Sequence, residues 1–171
     1  GSNIAMGNGA LTGNTTGSNN TALGRQALAA NTTASFNTAV GFQAGVQNTT
    51  GSVTAIGGYA LALNTTGVSN VAVGGNNGTG IDAALYSNTT GSQNTAVGVG
   101  ALKSNSTASG NTAVGYEAAF LNTTGANNTA VGYGAGYSNT TGASITAIGL
   151  NALRNNTTGS YSTGVGHDAL V

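Results

Sequence analysis

A tetrapeptide of the form Thr-Ala-Val-Gly returns ten times in this chain, nine copies followed three residues later by Ala, usually Ala-Leu, and most then by Asn-Thr-Thr. Its glycines are Gly7, Gly24, Gly41, Gly57, Gly74, Gly98, Gly115, Gly132, Gly149 and Gly166. They lie 17 residues apart, except for a step of 16 after Gly41 and one of 24 after Gly74. A fixed internal period of this kind means stacked units, none of which buries its apolar residues alone. Helix-pair repeats are longer, above about 30 residues, and the 30 glycines oppose helices because each costs about 1 kcal/mol in a helix interior. Disorder is opposed by one column in strict register: Met6, Leu23, Val40, Ile56, Val73, Val97, Val114, Val131, Ile148 and Val165. A disordered tract has no reason to keep such a column apolar.

The pattern predicts an all-β fold, a parallel β-solenoid of about ten 17-residue coils with two short strands per coil. The first strand is the tetrapeptide, as in Thr38-Ala39-Val40-Gly41; the second lies around Ala27-Leu28 and, near the other end, Ala152-Leu153. Asn-Thr-Thr-Gly turns the chain, with Gly17, Gly51, Gly67, Gly91, Gly125, Gly142 and Gly159 available for a positive φ. Ala34 and Ala108 interrupt that column, and Ala tolerates positive φ poorly, so either the column is not uniformly left-handed or those two turns relax. Ten coils at the ~4.8 Å strand spacing make a rod of about 48 Å. Residues 1–171 form a single repeat domain with a loop insertion at 75–83. Gly1 and Val171 both fall inside repeat units, as expected for a segment of a longer fibre.

Composition removes most chemistry. Three basic residues (Arg25, Lys103, Arg154), three acidic ones (Asp82, Glu117, Asp168), one His and no Cys offer little from which to build an active site. No nucleophile, base and orienting group recur in plausible proximity, and no enzyme, cofactor or metal is expected. His167 beside Asp168 falls short of a zinc ligand set. The formal net charge is zero, so the clustered basic face of a nucleic-acid binder is missing, and no apolar run approaches the ~20 residues of a membrane-spanning helix.

Strand alternation then poses a choice. Thr and Val of the tetrapeptide point one way, Ala and Gly the other. With Ala and Gly inward, the lumen admits only small side chains, and Val40, Ile56, Val73, Val97, Val114, Val131, Ile148 and Val165 form an external apolar stripe, a subunit interface that cyclic symmetry can bring onto a common axis. With Val and Leu inward, the outer face is small and polar, and the rod can be monomeric.

The string Asn-Thr-Ala-Val-Gly-Tyr-x-Ala-x-x-x-Asn-Thr-Thr-Gly, at 111–125 and 128–142, resembles a repeat of bacteriophage tail-fibre proteins. It is also similar to the heads of YadA-type trimeric autotransporter adhesins, whose shorter repeat has a comparable Val-Ala-Ile-Gly strand. The resemblance covers essentially the whole chain and implies a left-handed parallel β-roll that trimerises along its inner strand. It further implies a shaft or head that displays a host-contacting surface outside the cell, on a virion or a bacterium, and performs no reaction.

Other columns carry weaker signals. The Asn of each Asn-Thr-Thr matches the glycosylation sequon, but stacked Asn and Thr side chains also form coil-to-coil ladders, which explains their repetition more simply. The column after the glycine varies freely, and its Phe42, Tyr116 and Tyr133 either contact a sugar or neighbouring chain or cover a thin lumen. Asn76, Asn77 and Asp82 in the insertion are candidate surface contacts, since insertions in repeat proteins often lie on the binding face. The reading favoured is a structural and adhesive segment of an extracellular homotrimeric fibre whose partners are its own copies and a host surface or glycan receptor. Two alternatives stand beside it: a monomeric solenoid binding ice through a flat Thr/Ala ladder, or a glycan, and a subunit of an end-stacked filament. The repeated Asn-x-Ala-x-Gly spacing is similar to the Asn-x-Val-x-Gly repeat of grass ice-binding solenoids.

Overall fold

The computed structural model describes residues 1–76 and 82–171. Ten short strands follow the tetrapeptides: β1 Ile4–Met6, β2 Thr21–Leu23, β3 Thr38–Val40, β4 Val53–Ile56, β5 Asn70–Val73, β6 Thr95–Val97, β7 Thr112–Val114, β8 Thr129–Val131, β9 Thr146–Ile148 and β10 Thr163–Val165. They form one parallel sheet in chain order, so the chain winds a β-solenoid of about nine turns. Register is constant, so that in most pairs Thr opposes Thr, Ala opposes Ala and Val opposes Val or Ile, as in Thr112↔Thr129, Ala113↔Ala130 and Val131↔Ile148.

Each coil has one strand rather than two. The segment expected as a second strand is a run of overlapping turns: Ala27 N–H donates to Gly24 O (3.2 Å), Ala29 N–H to Gln26 O (3.3 Å) and Asn31 N–H to Leu28 O (3.1 Å). Gln26 (φ 59°) and Leu28 (φ 51°) occupy the left-handed region, as do Leu61, Leu85, Leu102 and Leu153. The intervening amides bond between coils, Leu28 N–H to Ala44 O and Ala30 N–H to Val46 O, both at 3.0 Å. Because the turns do not alternate faces as a strand does, Ala27 and Leu28 are both fully buried. A left-handed non-glycine residue costs on the order of 1–3 kcal/mol and persists only where its surroundings over-determine it. Here rungs above and below and a buried leucine do so.

The glycine columns divide the work differently from expectation. Gly17, Gly51 and their equivalents do not lie at positive φ, so the column is not left-handed and Ala34 and Ala108 need no strained conformation. At those glycines close packing of successive coils excludes a side chain: a Cβ on Gly125 would strike the Gly142 carbonyl. Positive φ belongs to the tetrapeptide glycine, from 122° at Gly57 to 155° at Gly74.

The alternation is resolved with alanine inside. Ala22, Ala39, Ala55, Ala72, Ala96, Ala113, Ala130 and Ala147 are fully buried, and with Ala27 and Leu28 and their counterparts they fill the lumen. Where that leucine column holds glycine, at Gly45 and Gly136, a branched residue later in the same coil replaces the usual asparagine, Val53 (3% exposed) and Ile145 (1%); at Ala119, the other departure from leucine, Asn128 is kept. A Cβ on Gly45 would lie 3.1 Å from Leu28 Cδ2 and 4.0 Å from Val53 Cγ2, so the two positions compete for one space. Gly45→Leu and Val53→Asn are therefore each expected to cost about 1–3 kcal/mol. The double variant restores the usual pattern and should cost at least about 1 kcal/mol less than their sum, read from a double-mutant cycle of denaturant unfolding.

Candidate interaction surface

Two asparagine ladders set the corners of the solenoid. In the first, Asn31, Asn48, Asn64, Asn88, Asn105, Asn122 and Asn139 are 0–1% exposed. Asn105 shows the pattern: its Nδ2 donates to Asn88 Oδ1 (2.8 Å) and to Ala108 O (3.0 Å), and its Oδ1 accepts from Asn122 Nδ2 (3.1 Å) and Asn111 Nδ2 (3.4 Å). The second ladder, Asn20, Asn37, Asn70, Asn94, Asn111 and Asn128, is equally buried, and each Oδ1 accepts the backbone N–H one coil further on, as at Asn128 N to Asn111 Oδ1 (2.8 Å). Among the described residues no buried side-chain nitrogen or oxygen lacks a partner. The sequon asparagines in the middle of the stack are therefore structural, and their amides are inaccessible in the folded chain. The sequence reading named only the first ladder. Val53 and Ile145 in the second were the signal for the other, because an apolar replacement marks a position that faces inward.

Outside, the sheet presents two columns. Thr21, Thr38, Thr54, Thr95, Thr112, Thr129, Thr146 and Thr163 form one, with Ile4 and Val71 in place of Thr. The other contains every residue expected at a subunit interface: Val40, Val73 and Val131 are half-buried, Ile56, Val97, Val114 and Ile148 are 37–39% exposed, and Val165 is 65% exposed. Among the described residues this column lies on the outer face of the sheet, exposed or half-buried along its length.

The remaining candidates lie around the turns. Phe42 packs edge-on against Tyr59 (5.1 Å) under Arg25, and Tyr116 stacks on Tyr133 (5.3 Å, 14°). The adjacent Glu117 carboxylate raises the Tyr116 phenol above its ordinary value. One column over, Phe120 and Tyr137 are stacked (5.2 Å, 3°) between Lys103 (4.8 Å) and Arg154 (4.7 Å). These rings pack along the axis on one another, while the lumen beneath is filled by Ala and Leu; they do not serve as its cover. All three cations of the chain thus end aromatic runs, with ring spacing set by the coil step. Phe120→Ala removes a ring pair and a cation contact, and is expected to cost about 1–2 kcal/mol by thermal unfolding. In the insertion, Asn76 N–H donates to Gly58 O (3.1 Å) and Asp82 pairs with Lys103 Nζ (3.4 Å); Asn77 lies outside the described residues. His167 Nδ1 is 3.3 Å from Asp168 Oδ2, both exposed.

One further column is uniform without an internal reason. Thr16, Thr33, Thr50, Thr66, Thr90, Thr107, Thr124, Thr141 and Thr158 are all exposed, and none of their hydroxyls hydrogen-bonds to another described residue. The preceding threonines behave otherwise: Thr49 Oγ1 donates to Thr65 O (2.9 Å) and Thr123 Oγ1 to Thr140 O (2.9 Å). Comparison of the chain with protein-family models, curated proteins and solved structures gives no match.

Proposed function

We propose that this chain is a structural and adhesive segment of an extracellular homotrimeric fibre, a left-handed β-roll carried on a virion or a bacterial surface that displays a host- or glycan-contacting face and performs no reaction. The observation that carries the reading is the outward Val/Ile column. Burying one such side chain is worth about 1.5–3 kcal/mol, and a continuous apolar stripe in water marks an interface. A rod with one stripe buries it most simply about a cyclic axis. The likeness of the repeat to tail-fibre and YadA-type heads supports the same arrangement, with the turn faces left outside for contact. Light scattering on a size-exclusion column over a concentration series tests it. A trimer that persists on dilution is expected; a well-folded monomer overturns the reading.

A second reading, a monomeric solenoid binding an ordered surface such as ice, is favoured by the nine exposed threonines with free hydroxyls. Six of the nine donate their backbone N–H to the next coil, as Thr124 N–H to Thr140 O (3.2 Å), and Thr is stiff at χ1. Thermal hysteresis measured on the protein, abolished by Thr107→Tyr, supports this reading; its absence discards it.

A further inference from the structure

A uniform stack leaves its own assembly under-specified. Copies joined through the Thr/Val face meet nearly the same surface after sliding by one coil, about 4.8 Å, and lose only one coil's contact. Two irregularities on that side of the rod remove the degeneracy. Most coils carry a corner residue in the left-handed region just before the strand, such as Asn19 (φ 58°), Phe36 (φ 62°), Ser69 (φ 58°) and Asn127 (φ 59°). The coil entering β4 has none: Ser52 is followed directly by Val53, which is the 16-residue step. The missing corner leaves a groove of about 370 Å³ lined by Phe36, Ser52, Thr54, Ser69 and Val71 over a floor of Val53. Val71 replaces a threonine there and makes the wall apolar, and Phe36, 74% exposed, stands at the rim.

We infer that this groove receives the Phe36 ring of a second copy of the chain and fixes the axial register of the assembly. The inference rests on the trimeric reading above. Parallel copies around a cyclic axis place identical residues at equal height. Phe36 occupies the column of the missing corner one coil before it and stands on the wall of the groove, so a neighbour's ring at equal height lies one coil step, about 4.8 Å, from the gap and within reach of it. Size agrees, since a cavity of about 150 Å³ already accepts benzene. The groove opens onto the outward face through Thr54 and Val71, and that face, ten strands long and about four residues wide, covers roughly 600 Å² before side-chain relief, close to the ~800 Å² per partner of a standard interface. In the other described coils that corner holds a residue, so a ring that slides away from the gap meets an occupied corner.

The chain has no cysteine, which makes cross-linking clean. Two differently sized tagged chains are co-expressed, one with Phe36→Cys and the other with Thr54→Cys, and oxidised as the assembled protein. A mixed disulfide is expected for this pair and not for Phe36→Cys with Thr146→Cys, the same column further along the rod. Phe36→Asn, which installs the residue found at positions 19 and 127, should leave the fold intact and weaken association at least tenfold. If the native mass stays trimeric while Phe36→Cys links both partners equally or neither, and Phe36→Asn associates unchanged, the groove has another occupant or none and the inference fails with the trimer standing. A monomeric native mass overturns both.

Discussion

Asn105→Ala is expected to destabilise the stack by about 3–5 kcal/mol, lowering the unfolding midpoint by about 10 °C or more for a chain of this size. The amide is fully buried and has four partners, in Asn88, Ala108, Asn111 and Asn122. Truncation strands Asn88 Oδ1 and one N–H each of Asn111 and Asn122 in a space with no room to recruit others, while Ala108 O keeps the Asn94 amide and both donors keep a bond to Gly125 O. The cost is desolvation left unpaid rather than lost attraction, about 1–3 kcal/mol for each group stranded. Asn105→Asp should be worse at neutral pH, since it keeps the shape but turns a lone-pair oxygen toward Asn88 Oδ1 and Ala108 O. The introduced carboxyl would have its pKa raised above about 4 by burial. The unfolded chain then releases its proton first as pH rises, so stability falls with increasing pH and recovers on acidification. Denaturant unfolding of both variants between acid and neutral pH measures this; an alanine variant as stable as the parent would mean that the ladders are incidental.

The second large effect separates neighbours in sequence. Val114→Glu is expected to weaken self-association at least a thousandfold while leaving the single chain folded, because Val114 is 37% exposed and faces away from the lumen. Around a cyclic axis the substitution repeats in every copy, and like charges brought together out of water repel without a partner. Ala113→Val should do the reverse. Ala113 is fully buried and opposes Ala96 and Ala130, so two added methyl groups overpack the lumen at about 1–3 kcal/mol without touching the outer face. Native mass and thermal unfolding measured on both variants distinguish the roles. Loss of fold in Val114→Glu would place that column inside.

The period, the tetrapeptide strand and its register were legible because every copy repeats them, and Thr-Ala-Val has only one extended alternation. Which side of it faced inward was not, since both choices satisfy the same pattern; volume decides, as Ala on the inside leaves room for the Leu28 column and Val would not. The expected second strand failed at Ala27-Leu28 for a readable reason: two adjacent columns that are both apolar cannot alternate across a strand. Phe42, Tyr116 and Tyr133 are exposed. Their pairing could not be read from one coil, because Phe120 with Tyr137 and Lys103 with Phe120 meet only across the stacking step.

The asparagine ladder also gives the rod a direction. Every first-ladder amide donates toward the N-terminal side, Asn31 to Asn14, Asn64 to Asn48, Asn105 to Asn88 and Asn156 to Asn139, with none reversed. Strand dipoles largely cancel in a sheet; these side-chain dipoles add, and each polarises the next. This ladder therefore carries an axial dipole, positive toward the first coil and negative toward the last, while the threonine hydroxyls donate the opposite way, as Thr49 Oγ1 to Thr65 O. Head-to-tail continuation extends that ladder, amide donor meeting carbonyl acceptor, while tail-to-tail contact sets acceptor against acceptor, so a stack of such coils has a polarity even where its surface repeats without change.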